Sequence, residues 1–185
     1  MNRMLIMKAH ALLAAFILPV ALMFIITGSL YTWGQKGSYA KNVHEITLIT
    51  PLKAELPSLK ELAVSELSNL STAEPEGTAK LKAYGNHFLL EWTGSSKDVI
   101  LEPTADPLIA KLTVKNTTWY RTLVQLHKAK GGGVFKVYAV IFSLALLAIL
   151  TSGFMMAWQS PQLRRLSLIT VVLGLLSFIA AVYLS

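Results

Sequence analysis

Three long apolar runs and one polar stretch of short alternating segments divide the chain. The run that organises the rest follows Leu126-His127 and Gly131-Gly132-Gly133: from Val137 to Leu163 there is no Asp, Glu, Lys or Arg. These 27 uncharged residues, at about 1.5 Å each, exceed the roughly 30 Å of a bilayer core, which predicts a membrane helix over 134–158. The N-terminal run carries no charge between Lys8 and Lys36, too long for the apolar core of a secretory signal, about 7–15 residues. It predicts a first membrane helix within 1–34, kinked at Pro19, whose ring removes the donor to the Ala15 carbonyl. Ala14, Ala21 and Gly28 recur every seven residues and give that helix one narrow seam where another helix can approach. A third helix is expected over 166–185, after a loop at 159–165. Its Ser167, Thr170, Gly174, Ser177 and Ala181 form a continuous small-residue stripe, a packing face within this chain or against another.

Between the first two runs, residues 35–133 read as a polar domain. Val43 to Thr50 alternates like a strand, and Pro57 opens a helix whose Leu59, Leu62, Ala63, Leu67 and Leu70 share a face. Four further strands are expected: Ala79 to Tyr84, His87 to Thr93, Asp98 to Glu102 and Leu108 to Val114. Gly85-Asn86, Gly94-Ser95-Ser96 and a Pro103 to Pro107 turn separate them. Thr117 or Thr118 caps a short helix expected to run through Leu126 into the second span. The fold class is therefore a membrane α-helical protein of three transmembrane helices, with an α+β domain inserted between the first two.

Charge sharpens this picture once it is divided. The net +7 includes all ten acids and twelve of the seventeen basic residues inside the insert, which is left with only +2. The other five, Arg3, Lys8, Lys136, Arg164 and Arg165, flank apolar runs, which fits lipid headgroups and excludes a nucleic-acid surface as the reading. Arg3, Lys8, Arg164 and Arg165 place the N-terminus and the second loop in the cytoplasm. The insert then lies outside, in the periplasm of a bacterial inner membrane. With no cysteine, disulfides, thiolate catalysis and cysteine metal sites are excluded.

Four histidines remain as candidate chemistry. His44 and His87 fall on strands without spaced partners and read as surface or packing residues. His10 sits inside the first helix and His127 just before the second, at opposite ends of the membrane. A bis-histidine haem b needs two imidazoles at one depth, whereas these stand about 30 Å apart. One chain cannot tie both to one iron, but a homodimer pairs two copies of each. An interfacial histidine bonded to headgroup, backbone or water is the alternative. Thr27-Gly28 before Trp33 repeats as Ser152-Gly153 before Trp158, read here as close helix contact with a Trp anchor. Gly131 to Gly133 read as a hinge or tight passage, or as amides approaching a haem propionate. No nucleophile and base pair, phosphate loop or carboxylate dyad stands out.

The layout resembles the PepSY-associated transmembrane family. The residues that carry the resemblance are Lys8-Ala9-His10 opening an apolar helix that ends Thr27-Gly28, then Leu126-His127 and Gly131-Gly132 before a helix ending Ser152-Gly153 and Trp158. The resemblance covers nearly the whole chain and implies that the insert is PepSY-like. Larger relatives include inner-membrane ferrisiderophore reductases with b-type haems on transmembrane histidines. This chain differs in having three spans and Ala105-Asp106-Pro107 where an acidic turn with glycine is usual. Two function classes follow: a haem-linked component of transmembrane electron transfer, with His10 and His127 as haem-iron ligands, or a non-catalytic accessory subunit of a membrane complex. Lipid is a partner in both, and a homodimer or larger complex is expected.

Overall fold

The computed structural model describes residues 3–85 and 87–185. Its elements run α1 (Arg3–Thr32), β1 (Tyr39–Thr47), α2 (Leu56–Asn69), β2 (Ala79–Tyr84), β3 (His87–Thr93), β4 (Lys97–Pro103), β5 (Ile109–Thr117), α3 (Trp119–His127), α4 (Gly133–Trp158) and α5 (Pro161–Leu184). The helices α1, α4 and α5 are long and apolar enough to cross a membrane. The chain divides into two compact units, residues 22–138 and residues 1–21 with 139–185.

In the first unit the described strands form one antiparallel sheet of order β1-β5-β4-β3-β2. Alternation decides its inner face: Leu90 and Trp92 on β3, Val99 and Leu101 on β4, and Ala110, Leu112 and Val114 on β5 are buried, with Ile46 from β1. Leu59, Ala63 and Leu67, one turn apart on α2, close over that face, while Leu70 is exposed. Each fully buried leucine contributes about 2 kcal/mol by leaving water, so this cluster holds the insert together without a disulfide. The first strand begins four residues before the expected Val43, because its polar start Tyr39-Ala40-Lys41-Asn42 pairs with Val114 to Thr117. Asn86, in the turn expected between β2 and β3, lies outside the described residues; Gly85 beside it takes φ 59°, which favours glycine.

Thr118 caps α3 by accepting from the Arg121 amide, but α3 stops at His127 instead of running into the second span. Lys128 and Lys130 amides close the helix end on Val124 and Gln125, and Ala129 takes φ 56°. Gly131 is then a tight passage, because a Cβ there would stand 2.9 Å from Phe135 Cβ and 3.0 Å from Leu126. A new helix starts at Gly133.

In the second unit, α1 turns Ile6, Ile17 and Val20 inward, on the same stripe as His10. Pro19 lies inside α1, which continues through it. Ala14 and Ala21 are half-buried beside that stripe. The third apolar helix begins at Pro161, five residues before the expected Leu166, because Pro at the first helical position is already set to helical φ. Arg164 and Arg165 therefore sit in the first turns of α5 rather than in a loop over 159–165. Among the described residues the α5 small-residue stripe is largely uncovered: Ser167 is half-buried, but the apolar window is 0% buried and Gly174 has nothing within 4 Å. Thr170 and Ser177 donate to their own helix, to the Ser167 and Gly174 carbonyls at 3.0 and 2.8 Å.

Candidate functional site

His127 ends α3 and reaches the last turns of α1 within the first unit. Its Nδ1 lies 2.8 Å from Thr27 Oγ1, and Thr27 is 1% exposed. The Thr27 hydroxyl proton is committed to the Met23 carbonyl at 2.6 Å, so toward the imidazole Oγ1 can only accept. In the neutral ring the proton then sits on Nδ1 and the lone pair on Nε2, which has no partner among the described residues. Phe24 packs on the ring at 4.9 Å between centroids. Gly28 makes room for it, since a Cβ there would lie 3.1 Å from Cε1. Thr27, Gly28, Tyr31, Val124 and Lys128 line the groove of about 330 Å³ beside it.

His10 is held the same way in the second unit. Its Nδ1 lies 2.8 Å from Ser152 Oγ on α4, and that hydroxyl donates to the Ile149 carbonyl at 3.0 Å. Nδ1 therefore donates, and in the neutral ring Nε2 keeps the lone pair. Gly153 lies under the ring, where a Cβ would stand 3.5 Å from Cε1. Leu5, Ile6, Ala9, Leu13 and Ala148 make the adjoining groove apolar. Each clamp is thus a hydroxyl followed by a glycine: the hydroxyl fixes the tautomer and the glycine admits the ring.

A buried polar network fastens α3, and so His127, to the sheet. Asp98, 6% exposed, accepts from Tyr39 OH at 2.7 Å, from the Gly94 amide at 3.2 Å and from Gln125 Nε2 at 3.1 Å. Arg121 donates to Tyr39 OH at 2.7 Å, and Lys130 Nζ stands 4.0 Å from Asp98. Burial, then the hydrogen bond to Asp98, pushes the Tyr39 phenol up to about 12. Burial also holds the Lys130 ammonium below its usual range, with Asp98 opposing it. Gln125 is fully buried two residues before His127, so the side chain that grips the sheet and the imidazole belong to one rigid turn.

Beyond the expected close contact, Thr27-Gly28 and Ser152-Gly153 each hold an imidazole. Gly28, expected in a seam with Ala14 and Ala21, faces His127. The missed signal was the antiparallel exchange, in which the helix that opens with His10 ends in Thr27-Gly28 while the helix preceded by His127 ends in Ser152-Gly153. His44 is half-buried and His87 exposed, and no cluster of three metal-ligating side chains occurs among the described residues. Each groove offers one imidazole whose Nε2 has no partner among the described residues, a donor set that would supply one protein ligand to a haem but not two.

Apolar helices of spanning length around an antiparallel α+β insert define a multi-pass membrane protein. Residues 1–160, which include both clamps, match the PepSY-associated TM region, and the chain belongs to that family. No curated protein and no solved structure matches it.

Proposed function

We propose that the protein is a haem-bearing component of an electron path across a bacterial inner membrane, serving reductions such as that of ferric siderophores, with the insert in the periplasm and the N-terminus in the cytoplasm. The observation that carries this reading is the pair of clamps. A hydroxyl whose own proton is spent holds Nδ1–H and presents Nε2 as a base, which is how an outer partner prepares an imidazole to bind a metal. Haem b, when bound, supplies a one-electron carrier in a low-dielectric site. The chain's own residues orient the imidazoles, fix their tautomers and keep water from them with Phe24, Leu13 and Ile6. Each level holds one imidazole, so a second ligand there comes from a second copy or a partner subunit. The bare α5 favours such an assembly.

The test is the visible spectrum of the protein purified from cells with ample haem supply. The expected result is the spectrum of a low-spin bis-imidazole haem, with His10→Ala and His127→Ala each lowering the haem-to-protein ratio by about half at unchanged expression. A colourless wild type discards this reading and leaves a non-catalytic accessory subunit acting through its insert. A full spectrum in both variants places the haem on a partner.

A further inference from the structure

A second cavity of about 280 Å³ lies in the same unit as His127 but opens on other side chains. Lys80 on β2, Lys128 and Lys130 after α3 and Lys136 in the first turns of α4 line it, with Thr78 and Thr93. Its one carboxylate, Glu91, is already bridged to Lys82. Lys80 and Lys136 have no hydrogen-bond or ion-pair partner among the described residues, and Lys128 Nζ meets only the Tyr31 hydroxyl and ring. Lys130 has a side chain only 25% exposed, and its nearest acid, Asp98 at 4.0 Å, is committed to Tyr39, Gln125 and the Gly94 amide.

Four lysines line this cavity against one acid, and the two without a partner, Lys80 and Lys136, leave positive charge there uncompensated. Ala129 takes a left-handed φ of 56° between Lys128 and Lys130, and the close fit at Gly131 holds against Phe135 the turn from which both lysines leave. The site also has a fixed height. Lys136 is the last charge before the uncharged run of α4, so the cavity lies where the chain passes from water to lipid.

We infer that this cavity is a binding site for an anion carrying two or more phosphate or carboxylate groups, at the outer edge of the membrane next to His127. The four lysines supply point charges, while Thr78 and Thr93 supply hydroxyl donors to the same oxygens. A diphosphate lipid headgroup and a soluble polycarboxylate share this chemistry. The site does not depend on haem at either clamp.

The experiment uses the full chain in nanodiscs and the double variant Lys80→Gln with Lys136→Gln, neither of which touches the Asp98 network. One arm titrates citrate into protein in phosphatidylcholine discs by calorimetry; the other counts cardiolipin retained per chain by native mass spectrometry. Saturable binding of one citrate per chain, weakened at least tenfold in the double variant, establishes a soluble-anion site. One cardiolipin retained by the wild type and lost in the double variant establishes a headgroup site. Lys53→Gln, far along the sequence on the α2 side of the insert, should leave both unchanged. The inference is overturned if neither probe binds the wild type, if the double variant binds both equally well, or if Lys53→Gln weakens binding as much.

Discussion

The two histidines are gripped by the same pair of contacts but stand in different surroundings. His127 lies at the end of a helix that a folded domain holds in place: Asp98, Tyr39 and Gln125 lock α3, Phe24 packs tilted against the ring, and Thr27 is buried. Among the described residues, the groove of His10 is lined by helix residues alone, with Ser152 half-buried and no charged group or second aromatic. One clamp is therefore positioned by long-range structure of the insert, the other by the local fit of two apolar helices. Damage to the insert should move the first and leave the second, and that separation is what the following substitutions probe.

The largest effect is expected at Asp98. Replacing it by alanine leaves the buried Tyr39 hydroxyl without its acceptor and Gln125 Nε2 with the Tyr39 oxygen alone, and removes the carboxylate 4.0 Å from Lys130. Losing one partner of such a network costs about 3 kcal/mol. Asp98→Ala should lower the thermal midpoint of the insert and broaden the His127 imidazole resonances in NMR, while those of His10 stay as they are. Equal changes at both imidazoles would show that the clamps are not independently supported.

A smaller effect separates the hydroxyls. Thr27→Val keeps the shape of a β-branched side chain and removes the acceptor for His127 Nδ1–H, at about 1 kcal/mol for an unmet hydrogen bond in a buried site. Ser152→Ala should cost less, because its site is only partly buried. The sharper readout is the ring itself: nitrogen chemical shifts should report Nδ1–H at both histidines in the wild type and a mixture of tautomers at His127 in Thr27→Val. A wild-type proton on Nε2 at either ring would break the assignment of that clamp.

The elements were legible where a local rule decides them. The strands β2 and β3 follow from alternation with a glycine turn between them, and the buried face of α2 follows from leucines one turn apart. The start of β1 was hidden because Tyr39 to Asn42 has no apolar alternation; only its partners on β5 make it a strand. The break between α3 and α4 was hidden for a similar reason. It depends on a left-handed Ala129 and on Gly131 meeting Phe135, both products of tertiary packing. The histidines themselves were visible, but the residues that hold them were not. Thr-Gly and Ser-Gly in an apolar helix read equally well as close helix contact, and a choice requires knowing which side chain comes within 3 Å. The Asp98 network was hidden entirely, since its members come from β1, β4 and α3 and are separated by as many as 86 residues.

The smallest effect distinguishes the two glycines. In a helix interior Gly→Ala is favoured by about 1 kcal/mol, because alanine loses less backbone freedom on folding. At Gly153 that gain should be kept: the new methyl would stand 3.5 Å from His10 Cε1, an ordinary contact, so Gly153→Ala should be neutral or slightly stabilising. At Gly28 the methyl would stand 3.1 Å from His127 Cε1, and the ring must retreat by a few tenths of an ångström. It has little freedom to do so, since Thr27 holds Nδ1 on one side, Phe24 packs on the ring, and Gln125 anchors the helix that carries it. Gly28→Ala should therefore forfeit the propensity gain and end less stable than Gly153→Ala by about 1 kcal/mol in matched unfolding experiments. If the two variants have the same stability, His127 is free to yield, and the insert does not hold its clamp more rigidly than two apolar helices hold the other.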